Sequence, residues 1–259
     1  MSKIDGKQLK KILFKNVAAV LIAAAVLVVV WIVAHAAVGN DLLLPDFFDC
    51  MRQVGVLLKD GGFWLAFWHT LSRVLIAFVF SFALALIFAL IAYMVPWFCR
   101  ILSPAVSMLR SLPTLAVLLI VLVWAGAAKA PIVVAFMTLF PSLYAGILAA
   151  LSQVDGELLE MSRVYKVSMK KRVLQLYIPS AAPYVLREAG AALAFALKLI
   201  VSAEVLANTW KSLGGLMQEA KLFYEMPTLF ALVVLTFVVG LALEILGAIT
   251  AFFVERRVK

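Results

Sequence analysis

Charge is scarce in this chain: 14% of its 259 residues are charged, against about 25% in an ordinary soluble domain. Water could not solvate so apolar a surface, which excludes a soluble globule. Cysteine is nearly absent, with only Cys50 and Cys99. Neither has a metal-ligand neighbour at a useful spacing, which excludes a disulfide scaffold and a thiolate metal site. The two histidines, His35 and His69, are isolated, so neither a ligand cluster nor a catalytic triad is in view. No Gly-x-x-x-x-Gly-Lys-Ser/Thr phosphate loop occurs, so nucleotide hydrolysis belongs to another polypeptide if it occurs at all. The net charge is +9, but no base-reading motif accompanies it and a nucleic-acid partner is not expected.

What is present is apolar and continuous: 66% hydrophobic residues and a mean hydropathy of +1.09. Unpaired backbone groups are too costly in hydrocarbon, so a chain dissolved in lipid must form helices or a closed barrel. Continuous rather than alternating apolar runs select helices. The expectation is an all-α, polytopic helix bundle of about six spans, at roughly 16–38, 70–95, 111–128, 130–151, 184–206 and 228–253. Residues 1–15 are a short N-terminal segment and 16–259 one transmembrane domain. The third and fourth spans are separated only by Lys129-Ala130-Pro131, either a tight external turn or a pore-lining kink. The first run has a basic start and an Ala34-His35-Ala36 site. Its uncharged length exceeds the roughly 7–15 residues of a signal-peptide core, so it is read as a retained span. Six spans with the N-terminus inside place sixteen Lys/Arg on inner segments and five on outer ones. This bias puts both termini in the cytoplasm. Cys50 and Cys99 then fall on opposite faces.

Lipid gives helices no hydrophobic reason to associate, so rows of small residues mark contacts. Three rows recur at four-residue spacing: Ala77, Ser81, Ala85, Ala89; Gly190, Ala194, Lys198, Ser202; and Thr236, Gly240, Glu244, Ala248. Two of them carry charges. A charge at the membrane centre costs roughly 2.5–3.5 kcal/mol on insertion scales, so Lys198 and Glu244 are expected to point into the bundle. There they either pair with each other or share a polar route. Pro113 suits a helix start, Pro141 is expected to kink the fourth span, and Pro179 and Pro183 frame the fifth.

Residues 152–183 form a long polar connection between the fourth and fifth spans. Asp155-Gly156 offers a turn. From Glu157 to Tyr165 the pattern is helical, with Leu158, Met161 and Tyr165 as an apolar stripe beside Glu157, Glu160 and Arg163. A second, basic helix is expected near Met169–Tyr177. Such a loop docks a partner, rests on lipid headgroups, or is simply a solvated, positive-inside connection.

The loop resembles the Glu-Ala-Ala loop of binding-protein-dependent ABC importer permeases. Glu160 matches the acid, Met161 and Ser162 stand for the alanines, Lys166 replaces the usual Gly, and Ile178-Pro179 matches the closing Ile/Leu-Pro. Leu109-Arg110-Ser111-Leu112-Pro113 and Trp124-Ala125-Gly126 are similar to elements that open and close a span in that family. Thr70-Leu71-Ser72-Arg73-Val74 resembles the family's Thr-Leu-x-Arg-Val opening, and Ala203-Glu204-Val205-Leu206 followed by Leu213-Gly214-Gly215-Leu216 is similar to an element of its sulfonate, taurine, nitrate and thiamine-precursor group.

The resemblance implies a type I importer permease fold in a bacterial cytoplasmic membrane. It implies a second permease copy, as a homodimer, an extracytoplasmic substrate-binding protein, and a separate ABC ATP-binding subunit carrying ATP and Mg. No cofactor is expected on this chain. Glu157, Glu160, Met161, Ser162, Arg163, Tyr165, Lys166 and Pro179 would form the coupling loop, with Glu160 and Arg163 orienting the helix that the ATPase grips. Glu204 would orient an external gate, contact substrate or anchor the span at the interface. Lys198 and Glu244 are candidate pathway residues. Three rival readings are an energy-coupling subunit of a vitamin importer, an intramembrane enzyme, for which the chain is poorly supplied with reactive side chains, and a non-transporting membrane scaffold.

Overall fold

A computed structural model describes residues 22, 25–152 and 156–258, without the side chains of 158, 159, 163, 169, 170, 173, 174 and 256–258. All regular structure among the described residues is helical. In chain order the helices are α1 (Ala25–Val38), then α2 (Phe47–Leu57), α3 (Gly61–Met94), α4 (Pro96–Ser111), α5 (Thr114–Ser152), α6 (Gly156–Val164), α7 (Met169–Arg172), a π-helical turn (Val173–Tyr177), α8 (Ile178–Ala207), α9 (Leu213–Leu222) and α10 (Met226–Val258). Four of these are long and apolar enough to cross a membrane: Gly61–Met94, Thr114–Ser152, Gln175–Ala207 and Met226–Glu255. At about 1.5 Å per residue each exceeds a hydrocarbon core of about 30 Å.

The expected stretches map onto α1, α3, both halves of α5, α8 and α10, while the expected N-terminal segment 1–15 and the start of the first stretch lie outside the described residues; the break between the third and fourth stretches needs correction. The break in α5 lies at Gly126 (φ 72°, ψ 167°), not at Lys129-Ala130-Pro131, which is helical. Residues from both sides of the break, Leu118 and Val121 before it and Ala130 and Val134 after it, share one buried cluster with Ala203 of α8. The chain therefore folds back at Gly126, where a positive φ favours glycine. Pro131 explains the next contact. It has no N–H to offer the Ala127 carbonyl four residues earlier, and the buried Thr209 donates to that carbonyl instead, at 2.9 Å. Pro141, expected to kink the helix, sits inside α5 without leaving helical φ/ψ. Pro113 does start a helix: Leu112 before it is extended, as the residue before a proline prefers.

The small row of α3 is buried as expected, with Ala77, Ser81, Ala85 and Ala89 all inaccessible. α5 lies along it, its Leu139, Leu143 and Ile147 filling the core. α8 packs on both α5 and α10. Gly190 of α8 meets Gly247 of α10 backbone to backbone, so closely that a Cβ on either would overlap the other. The row on α10 was placed one residue off at this crossing: the contact is Gly247, next to Ala248. α1 packs beside α2 and α10, with Trp31 against Phe47 and Phe230 and its indole N–H donating to Pro45 O at 3.1 Å. Cys50 on α2 is buried and free, as Cys99 is free. Burial and the nearby Asp46 and Asp49 carboxylates push the Cys50 thiol up to about 11, which leaves it protonated and unreactive at neutral pH.

Candidate functional site

Three places carry polar chemistry, two built at helix ends and one between the interiors of two long helices. The first is a closed cluster where α3, α8 and α9 meet. Glu204, in the last turn of α8, is 0% exposed. Its Oε1 accepts from Arg73 Nη1 at 2.8 Å and its Oε2 from the Thr70 hydroxyl at 2.8 Å. The Gly214 N–H adds a longer bond to Oε2 at 3.3 Å. The first free N–H groups of α9 are all satisfied here: Leu213 N–H donates to Thr70 Oγ1 at 2.9 Å and Gly215 N–H to Ser212 Oγ at 2.9 Å. A carboxylate at a helix N-terminus is favoured by the unpaired N–H groups and the helix dipole together. Gly214 is glycine because a Cβ there would fall on the Glu204 side chain, and Gly215 because a Cβ would strike the Thr209 carbonyl. α8 ends at Asn208 in the left-handed region, and Thr209 N–H donates to Glu204 O at 3.0 Å. This is a Schellman cap with asparagine in the glycine role. Two motifs 131 residues apart thus form one buried ion pair, and Glu204 has no accessible surface to offer a ligand.

The second place is a groove of about 330 Å³ between α8 and α10, lined by Lys198, Ser202 and Val205 on one side, Thr236, Gly240 and Glu244 on the other, with Met217 of α9 at its edge. Lys198 and Glu244 are both exposed on this chain rather than pointing into its interior. They share the groove but form no ion pair among the described residues.

The third place is the connection from α5 to α8. α6 spans Gly156–Val164, close to the expected helix. Glu157, Glu160, Met161, Val164 and Tyr165 are exposed and Ser162 is half-buried; the side chains of Leu158 and Arg163 lie outside the described residues, as does Asp155. Tyr165 N–H donates to Met161 O and Val167 N–H to Ser162 O, both at 3.0 Å, while Lys166 between them takes φ 48°. That is again a Schellman cap, with Lys166 at the left-handed position. The lysine therefore leaves the turn intact, at a cost of about 1 kcal/mol relative to glycine. The expected basic helix appears as α7 followed by the π-helical turn. That turn ends two residues before Pro179, whose missing N–H deprives Gln175 of its usual donor. Pro179 itself occupies the first turn of α8, where a proline is tolerated.

Sequence reasoning found Thr70, Arg73, Glu204 and Gly214 as motif members without joining them. It missed Thr209, whose signal was the unpaired carbonyl that Pro131 creates.

A probable ABC transporter permease protein of Brucella melitensis biotype 1 is 28% identical over 207 residues, covering 78% of this chain and 82% of that one. A putative aliphatic sulfonates transport permease of Bacillus subtilis is 23% identical over 223 residues, covering 85% and 80%. Among solved structures, the methionine ABC transporter MetNI in inward-facing conformations superposes with a TM-score of 0.63 at 20% identity, over 74% of this chain and 96% of that one; at that identity the likeness is one of fold. The family described as "Binding-protein-dependent transport system inner membrane component" matches residues 81–259, more than half of the chain. With this match over the α3–α10 region that holds Glu204, the groove and the α6 loop, the chain belongs to the binding-protein-dependent transport system inner membrane components, the permeases of ABC importers.

Proposed function

We propose that this chain forms the substrate pathway of an importer as a homodimer in the bacterial cytoplasmic membrane, both termini inside, and that a separate ATPase drives it through α6. The observation that carries the reading is the exposed apolar edge of a charged helix: Met161 is 54%, Val164 77% and Tyr165 75% accessible. Those side chains stand beside Glu157 and Glu160 on a helix whose exit is held by the Lys166 cap. A helix so capped can transmit displacement to α7 and α8 without unwinding. ATP and Mg belong to the partner, and Glu160 and Arg163 orient α6 in its cleft. An extracytoplasmic binding protein delivers substrate at the face where α9 lies. The buried Glu204 cluster orders that outer end, and Lys198 and Glu244 line the route. The substrate of the Bacillus subtilis relative carries a sulfonate, and a small acid-bearing solute is the class proposed here.

The test is ATP hydrolysis by the reconstituted complex. Loaded binding protein should stimulate it, and Glu160→Ala should reduce that stimulation at least fivefold while the permease still folds. Hydrolysis that ignores both the binding protein and the substitution would refute coupling through α6.

A further inference from the structure

The groove between α8 and α10 is lined by two residues of opposite charge, Lys198 and Glu244, which form no ion pair among the described residues. α8 and α10 run antiparallel, in register at the Gly190–Gly247 contact. Lys198 lies eight residues beyond that contact and Glu244 three, which at about 1.5 Å per residue offsets their Cα atoms by roughly 7 Å along the bundle. Both side chains are exposed into the groove. Gly240 lies between them, and Ser202 and Thr236 line the groove beyond Lys198. Thr236 spends its proton on Leu232 O at 2.8 Å, so its oxygen faces the groove only as an acceptor. The about 330 Å³ of space is at the small end of ligand sites.

We propose that this groove binds a small zwitterion, with its acid group at Lys198 and its ammonium at Glu244. The assignment rests on the reading of the chain as a permease and narrows the solute class. A simple anion would satisfy Lys198 and leave Glu244 facing a like charge; a simple cation would do the reverse. A solute carrying both charges a few carbons apart satisfies both.

The experiment measures equilibrium binding to the full chain in lipid nanodiscs, purified with the ATPase subunits that accompany it. The probes are 2-aminoethanesulfonate, ethanesulfonate and ethylamine. Binding is read without ATP or binding protein, so its failure is separate from a failure of coupling, which co-purification of the ATPase reports. The zwitterion should bind saturably and at least tenfold more tightly than either single-charge probe. Lys198→Met and Glu244→Gln should each weaken it at least tenfold, and the reversed pair Lys198→Glu/Glu244→Lys should retain it. Equal binding of ethanesulfonate, unaffected by Glu244→Gln, would overturn the proposal in favour of an anion site. Absence of saturable binding by every probe would also overturn it.

Discussion

Arg73 and Glu204 meet largely out of solvent: the Glu204 side chain is 0% and the Arg73 side chain 13% exposed. A buried pair is strongly destabilised by removing one partner, by about 3–5 kcal/mol, yet often little harmed by removing both. Arg73→Leu leaves the Glu204 carboxylate with only Thr70 and Gly214, and Glu204→Leu strands Arg73. Each single variant is expected to lower the thermal midpoint of the detergent-solubilised permease strongly, and the double variant Arg73→Leu/Glu204→Leu to recover much of the loss. Additive losses would show that the pair does not act as a unit. At this scale the sequence already held the participants, since Thr70, Arg73, Glu204 and Gly214 all stand in family-like motifs. Their convergence was hidden because side chains more than 130 positions apart leave no local pattern. Lys198 and Glu244 were likewise visible as isolated charges, but their exposure on one open groove depended on the α8–α10 register.

Among the helices, termini and crossings decide the architecture. Lys166 holds a left-handed turn at the end of α6 that glycine would adopt without strain, so Lys166→Gly is expected to stabilise the turn by about 1 kcal/mol and to slow amide exchange at Tyr165 and Val167. Faster exchange in that variant would mean that the lysine side chain itself holds the turn. The α8–α10 crossing is stricter. A valine at Gly247 would have to displace the backbone of Gly190, so Gly247→Val should force the helices apart and cost several kcal/mol, as overpacking at a close contact does. Gly240, where an added Cβ meets only a Leu197 methyl at 3.8 Å, should accept alanine with little change. Comparing the thermal midpoints of Gly247→Val and Gly240→Ala checks both. Small-residue rows pointed to these helices but could not choose between Gly247 and Ala248, because adjacent small residues satisfy a periodicity of four almost equally well.

Across the whole molecule, apolar run length revealed the long helices and the polar connection revealed α6, since both follow from solvation alone. The shorter helices α2, α4 and α9 were not anticipated. Their lengths of 11, 16 and 10 residues fall below any span criterion. Their cues are local caps such as Asp46 and Ser212, each accepting from an N–H of the turn it precedes. The fold-back at Gly126 was placed three residues late, because Pro131 is the louder signal in sequence and Gly126 the residue that turns.

The same separation that hid the Arg73–Glu204 pair sets a timetable for making the protein. Arg73 leaves the ribosome 131 residues ahead of Glu204, a delay of roughly 7 to 26 s at about 5–20 residues per second. Throughout that interval the guanidinium has no carboxylate, and its long side chain must reach toward the headgroups or be shielded by the insertion machinery. α3 therefore enters the bilayer as a provisional span, and the arrival of α8 and α9 completes its membership of the bundle.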